Sequence, residues 1–233
     1  PAALTSCFVG VSFYNSADHA TLQTSVAQVF NQRGDGVIIR GAQARISRQD
    51  RQPHLSRKDA HALLSEALQR YRVEHRTLPA RLVLHKTSSY TDDEMTGFRV
   101  AADENGLDSL ELLWMPAHED VRLFRTGEHP PLRGTLLSLG DARHVLYTRG
   151  SVPAYGTYPG MYIPTPLGFR TIDTESSPIA LAAEILALTK MNWNQTQLDG
   201  RLPITLRTAD TVGEILRHVP ADVHPQARYA YYM

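Results

Sequence analysis

The chain has 233 residues, 42% of them hydrophobic, and its 24 basic and 24 acidic side chains leave no formal net charge. This length suits one large core, and no linker rich in Pro, Gly and Ser divides it, so we expect a single α/β domain over residues 1–233. No segment approaches the roughly 20 apolar residues of a membrane span, and the single cysteine excludes a disulfide scaffold, so we expect a soluble, cytoplasmic protein. A neutral chain has no overall attraction for nucleic acid, so any such surface must come from local clustering of charge.

Three β-prone runs lie in the first fifth of the chain. They cover residues 7–14, 36–40 and 44–47 and are rich in β-branched and aromatic residues. We expect them to form strands that pair antiparallel.

Residues 56–115 alternate between helical and strand patterns. The predicted elements are a capped helix from Ser56 to Tyr71, a strand over 81–86, a helix that begins after Thr91 and ends at Asn105-Gly106, and a strand over 109–115. This alternation is expected of parallel strands joined by helical crossovers.

The second half of the chain is less regular. The predicted elements are a hairpin of 133–139 with 142–147, a loop over 150–166, a helix with Ser177 as N-cap that runs to Lys190, a strand over 202–206, and a short last helix from Thr208.

The end of the helix before residue 194 concentrates polar groups. Lys190, Asn192 and Asn194 can donate several hydrogen bonds to phosphate oxygens, although Lys and Asn at a helix end can equally cap its last carbonyls. Trp193 fits a core position better than a stacking platform. Both interpretations of the run stay open on the residues alone.

Antiparallel strands followed by strand–helix alternation give the layout of an RNase H-like domain, in which two metal ions cleave phosphodiesters. Two divalent ions need several carboxylates at fixed places, yet the first strand carries Ser12 and the strand over 81–86 ends in His85 and Lys86. The residues therefore predict binding without cleavage. The alternative is a nuclease that uses unconventional acids such as Asp18, Asp92 or Asp93.

Taken together, these features resemble the PIWI domain of a prokaryotic Argonaute, and in particular the long, catalytically inactive type. The segments that carry the resemblance are 82–88, 93–94, 97–98, 131–135, 146–151, 158–160, 188–194, 202–205 and the aromatic terminus that ends at Met233. Their order and spacing span nearly the whole chain.

The resemblance implies an RNase H-like mixed sheet with flanking helices, here a C-terminal portion of a longer protein without its N, PAZ and MID domains. It places Ser12 and Lys86 where active members carry two catalytic aspartates. The glutamate that active members carry on a mobile finger would lie near residues 41–43, where no acid occurs. It implies a guide strand, expected to be RNA, a DNA target, and defence against foreign DNA through effector proteins. In such proteins the final carboxylate, here Met233, helps to hold Mg²⁺ at the guide 5′ phosphate beside the MID domain, so guide binding by this chain alone is expected to be weak.

The residues expected to contact a guide or target backbone lie at strand ends or at a helix end. They are Lys86, Thr87, Tyr147, Thr148, Arg149, Lys190, Asn192 and Asn194. Tyr155 and Tyr158 can stack on bases, but turn packing is their expected use. The ten histidines show no paired spacing of the zinc-binding type, so we expect no zinc site.

Overall fold

An eight-stranded mixed sheet forms the centre of the computed structural model, which describes residues 6–16, 21–29, 36–156, 158, 162–191 and 200–219, without the side chains of 25–29 and Tyr155. The strands of the sheet are β1 (Ser6–Asn15), β2 (Leu22–Val29), β3 (Gly36–Gln43), β6 (Arg81–Lys86), β7 (Ser109–Trp114), β8 (Leu136–Ser138), β9 (Arg143–Leu146) and β10 (Leu167–Asp173). Their order across the sheet is β3-β2-β1-β6-β7-β10-β9-β8. The fold class expected from the sequence, an RNase H-like mixed sheet with flanking helices, is confirmed.

Pairing within the sheet follows the predicted division of the chain. β1, β2 and β3 pair antiparallel, whereas β1, β6 and β7 pair parallel. The third predicted early strand is present as β4 (Arg45–Ile46) and pairs antiparallel, but its partner is β5 (Pro53–His54) in a separate two-stranded sheet. β2 and β10 were not predicted. The hairpin of β8 and β9 is confirmed.

Helices α1 (Arg57–His75) and α2 (Asp92–Asn105) cover one face of the sheet and pack on the larger apolar core. Thr91 and Glu94 form a reciprocal capping box at the start of α2, and Gly106 ends that helix in the left-handed conformation, at φ 69°. The predicted bounds of both helices are close to the observed ones. Within the described residues, no helix has the length and apolar character needed to cross a bilayer.

Helices α3 (Pro178–Leu188) and α4 (Ile204–Leu216) lie on the opposite face of the sheet. The predicted strand over 202–206 was wrong. Pro203 is the N-cap of α4, and buried residues recur along α4 at helical spacing from Ile204 to Leu216. Gly10 of β1 allows this helix to approach, since a Cβ there would lie 2.3 Å from the Thr205 carbonyl oxygen.

Candidate nucleic-acid interface

The carboxyl end of β6 lies beside the middle of β1, near the centre of the sheet. Val11 and Lys86 are register partners, and the Thr87 N–H donates to the Val11 carbonyl at 3.3 Å. Ser12 and Thr87 therefore follow the last paired residues of two adjacent parallel strands. In RNase H-like sheets, metal-binding carboxylates would be needed at such a place, and neither of these side chains is an acid.

The Ser12 side chain points toward α4. Its hydroxyl donates a hydrogen bond to the Asp210 carboxylate, and Ser12 itself is buried. Asp210 reaches the surface, but desolvation raises the pKa of its carboxyl, while the hydrogen bond from Ser12 opposes that rise. An acid from α4 thus contacts the middle of β1, although the two residues are 198 positions apart in the sequence.

Lys86 does not share this surface, which corrects the prediction that its ammonium replaces a catalytic acid beside Ser12 and contacts phosphate. Successive side chains of a strand alternate between faces, and Val11, its register partner, belongs to the core beneath α1 and α2. The Lys86 side chain is fully buried there, with Nζ 2.8 Å from Glu94 Oε1 and 4.9 Å from the centre of the Tyr90 ring. Burial lowers the pKa of Lys86, and the Glu94 carboxylate opposes this effect.

The buried ion pair fixes the loop that follows β6. Glu94 also accepts hydrogen bonds from the Leu55 N–H at 2.8 Å and the Thr91 N–H at 3.0 Å. The Lys86 ammonium donates to the Ser89 carbonyl at 2.5 Å. Lys86 therefore has a structural role, because it holds the loop on which Thr87 begins.

His85 occupies the face that Ser12 shares. Its Nδ1 lies 2.9 Å from the Thr205 hydroxyl, and its ring is buried against α4. Burial, assisted by the positive charge of Arg81, lowers the pKa of His85 to about 3. His85 is therefore a neutral contact between β6 and α4 at physiological pH.

Tyr147 and Thr148 also lie below the surface, which corrects their prediction as backbone contacts. The Tyr147 hydroxyl accepts a hydrogen bond from the Leu123 N–H at 2.7 Å, and only 1% of the residue is exposed. Thr148 is fully buried and donates its hydroxyl proton to the Arg201 carbonyl at 2.8 Å. Both residues position neighbouring segments and cannot touch a phosphate without rearrangement.

Arg149 and Lys190 are exposed and Thr87 is half-buried, so the structure leaves these three predicted residues accessible. Arg201 was missed by the sequence analysis. Burial lowers the pKa of Arg201, the positive charge of Arg149 lowers it further, and the Asp210 carboxylate raises it. Arg149, Arg201 and Asp210 therefore lie close enough to interact.

The chain returns past the end of α3, which brings Thr189, the residue before Lys190, close to Gly200, the residue before Arg201. A Cβ at Gly200 would lie 3.0 Å from the Thr189 carbonyl oxygen and 3.6 Å from Nη1 of Arg207. We call the set of Ser12, Thr87, Arg149, Lys190, Arg201 and Asp210 the strand-end site. It combines three cations and two hydroxyls with one carboxylate.

The remaining predicted positions divide into two groups. Asn192, Asn194, Met233, Trp193 and Asp18 lie outside the described residues. Asp92 and Asp93 are exposed in the first turn of α2, on the opposite face of the sheet from Ser12. Within the part of the chain that the structure describes, no group of three or more His, Cys, Asp and Glu side chains could hold a metal ion.

Asp210 was missed because sequence patterns gave no sign of its partner. The predicted last helix includes Asp210, yet the contact with Ser12 joins residues that are 198 positions apart. Arg201 was missed for a similar reason, since its proximity to Arg149 depends on the return of the chain between α3 and α4.

Solved structures share this fold, although no family model and no curated protein matches the sequence. Clostridium butyricum Argonaute, solved with a guide DNA and a 19-mer target DNA, superposes with a TM-score of 0.73 at 15% identity over 93% of this chain. A. aeolicus Argonaute gives 0.67 at 18% identity over 97%, and Marinitoga piezophila Argonaute, in complex with a 5′ OH guide RNA, gives 0.65 at 12% over 90%.

These matches confirm the resemblance at the level of fold. This chain spans only 28% to 30% of the length of each of the three proteins. The region that it matches carries the RNase H-like fold of an Argonaute PIWI domain.

Proposed function

We propose that this chain is the PIWI domain of an Argonaute-type protein and that its strand-end site holds the sugar–phosphate backbone of a guide–target duplex without cleaving it. One observation carries the proposal. The end of β6 and the adjacent middle of β1 place Thr87 beside Ser12, Ser12 hydrogen-bonds Asp210, and no group of three or more His, Cys, Asp and Glu side chains among the described residues could hold a metal ion.

The chemistry of the accessible side chains favours phosphate as the ligand. Arg149 and Lys190 are exposed, and Arg201 lies half-buried beside Arg149. Guanidinium and ammonium groups bind phosphate oxygens through charge-assisted hydrogen bonds, and a hydroxyl such as that of Thr87 can add a neutral one. Contacts of this kind position a strand without reading its bases.

The same arrangement disfavours two-metal cleavage. Two divalent ions require several carboxylates; Asp210 has Glu214 near enough for its negative charge to raise the Asp210 pKa, but no group of three or more such ligands occurs among the described residues. One Asp210 oxygen accepts a hydrogen bond from the Ser12 hydroxyl, and the positive charge of Arg201 acts on the same carboxylate, as does the negative charge of Glu214. Adjacent cations weaken the binding of a divalent ion by direct repulsion.

A guide-directed endonuclease is the second candidate, and the Asp210 contact is the observation that favours it. Asp92 and Asp93 lie on the wrong face to assist Asp210, and Asp18 is outside the described residues. A cleavage assay separates the two candidates, because any cut at a guide-defined position requires metal ions at this site.

The wider setting belongs to the same proposal. Argonautes with this fold have been solved with guide DNA or guide RNA and with target DNA, which supports nucleic acids as partners. We propose a guide, expected to be RNA, a DNA target, a MID domain of the same protein, and Mg²⁺ held at the guide 5′ phosphate with help from the carboxylate of Met233. Defence against foreign DNA in the cytoplasm, through effector proteins, completes the proposal.

Binding to oligonucleotides tests the proposal. We expect the 233-residue chain to bind a guide–target duplex with a Kd of about 10⁻⁴ to 10⁻⁶ M, and the affinity to fall steeply with salt. Lys190→Ala and Arg149→Ala should each weaken binding similarly for unrelated sequences, and each should reduce the slope of log K against log salt by about 1.

Lys58→Ala is the matched control for Lys190→Ala. Lys58 is another exposed lysine, but it lies in α1 on the opposite face of the sheet. Affinity that is unchanged in both Lys190→Ala and Arg149→Ala would contradict the proposal, as would an equal loss in Lys58→Ala.

A further inference from the structure

A concave feature lies in the loops that follow β7 and β9. It is a cavity of about 340 Å³, at the small end of the range for ligand pockets. Its wall includes Phe124, Arg125, His129, Tyr158, Tyr162 and Ile163.

The rings around this cavity are unusually exposed. Phe124 and Tyr162 are each 80% exposed, and Ile163 is 70% exposed. Single exposed apolar side chains are common, but several that border one cavity mark a surface for a ligand or partner. The Phe124 and Tyr162 rings are not packed in the core of the domain.

Two hydrogen bonds link residues that line the cavity. The Tyr158 hydroxyl donates to the Tyr162 carbonyl at 2.9 Å, and the Arg125 side chain donates to the His129 carbonyl at 3.0 Å.

The cavity is joined to the strand-end site through the segment that carries Arg149. Before Arg149, the Tyr147 hydroxyl bonds both the N–H and the carbonyl of Leu123, next to Phe124. After it, Ser151 donates to the carbonyls of Pro130 and Pro131, which also line the cavity. The residues on both sides of Arg149 are therefore hydrogen-bonded to segments that line the cavity.

We infer that this cavity receives an unpaired nucleobase of the nucleic acid whose backbone the strand-end site holds, with Phe124 and Tyr162 as the stacking surfaces. The inference rests on the proposed function. Every base has a flat π-face, and exposed aromatic rings beside a basic groove form the usual platform for single strands. Arg125 adds a cation at the cavity, where Glu128 is the acidic residue of the lining.

Three variants of Phe124 separate stacking from simple apolar contact. Phe124→Leu keeps an apolar side chain but removes the π-face, whereas Phe124→Trp keeps a ring. We expect Phe124→Leu and Phe124→Ala to weaken binding of a single-stranded oligonucleotide about fivefold or more, and Phe124→Trp to bind as the unchanged protein does. Val73→Ala, at another exposed apolar residue on the far helix α1, serves as the matched control.

The probe is a single strand that carries one 2-aminopurine, a base whose fluorescence falls when it stacks. We expect the unchanged chain to quench this base at one position along the strand, and Phe124→Leu to abolish the quenching while Arg149 still supports residual binding. If the protein binds the strand but quenches 2-aminopurine at no position, the inference is wrong while the proposed function stands. A protein segment then remains as the occupant of the cavity. Absence of any binding would overturn the proposed function and the inference with it.

Discussion

Replacing Lys86 by methionine tests whether its buried ion pair is structural. Methionine fills much of the same volume, but it leaves the Glu94 carboxylate without its countercharge in a fully buried place. Removing one partner of a buried pair costs about 3–5 kcal/mol. Glu94 retains hydrogen bonds from Leu55 and Thr91, so we expect the free energy of unfolding to fall by about 3 kcal/mol, the low end of this range.

The measurement is urea unfolding of Lys86→Met beside Lys58→Met, followed by nucleic-acid binding under conditions where both variants are folded. In thermal unfolding, the same loss of stability lowers the Tm of a chain of this size by about 6–12 °C. Lys58→Met should stay within about 0.5 kcal/mol of the unchanged chain, because Lys58 is exposed. A Lys86→Met variant of full stability that has lost its affinity for nucleic acid would refute the structural role and restore a phosphate contact.

Two further predictions concern titration at the interface between the sheet and α4. The folded pKa of His85, about 3, lies below its ordinary value of 6.5, so the unfolded chain binds the proton first and stability falls as the pH drops from about 6.5 toward 3. This contribution to the free energy of unfolding approaches about 1.4 kcal/mol per pH unit. In urea unfolding, the free energy of unfolding of His85→Asn should therefore change less with pH than that of the unchanged chain, and equal changes in the two proteins would contradict the prediction. Ser12→Ala removes a hydrogen bond that lowers the pKa of Asp210, so NMR titration should show that pKa rise further, whereas an unchanged or lower value would show that the Ser12 contact is absent in solution.

Elements with local signals were predictable from the sequence. The capping residues of α1, α2 and α3 mark their starts, and the apolar run of β6 identifies a buried strand. β2 was missed because its polar residues, as in Gln23-Thr24-Ser25, obscure the pattern of a half-buried strand. The start of α4 was taken for a strand because a short apolar run has no distinct period, and contact with β1 decides its conformation.

The candidate site was predictable only in part, since its geometry depends on register. The sequence places Lys86 and Thr87 at the end of one strand, but the pairing of Val11 with Lys86 determines which of the two shares a face with Ser12. A shift of one residue reverses the answer; the prediction named both residues as backbone contacts, and Lys86 is fully buried. Asp210 and Arg201 reach the site through tertiary contacts alone.

Binding of a duplex without cleavage is the central claim, and one assay tests it most directly. The protein is incubated with a guide, an end-labelled complementary target and Mn²⁺, and both bound and cut target are measured over time. The account predicts salt-sensitive retention of intact target that Arg149→Ala and Lys190→Ala reduce. A cut at a fixed distance from the guide 5′ end that disappears in Asp210→Asn would contradict it.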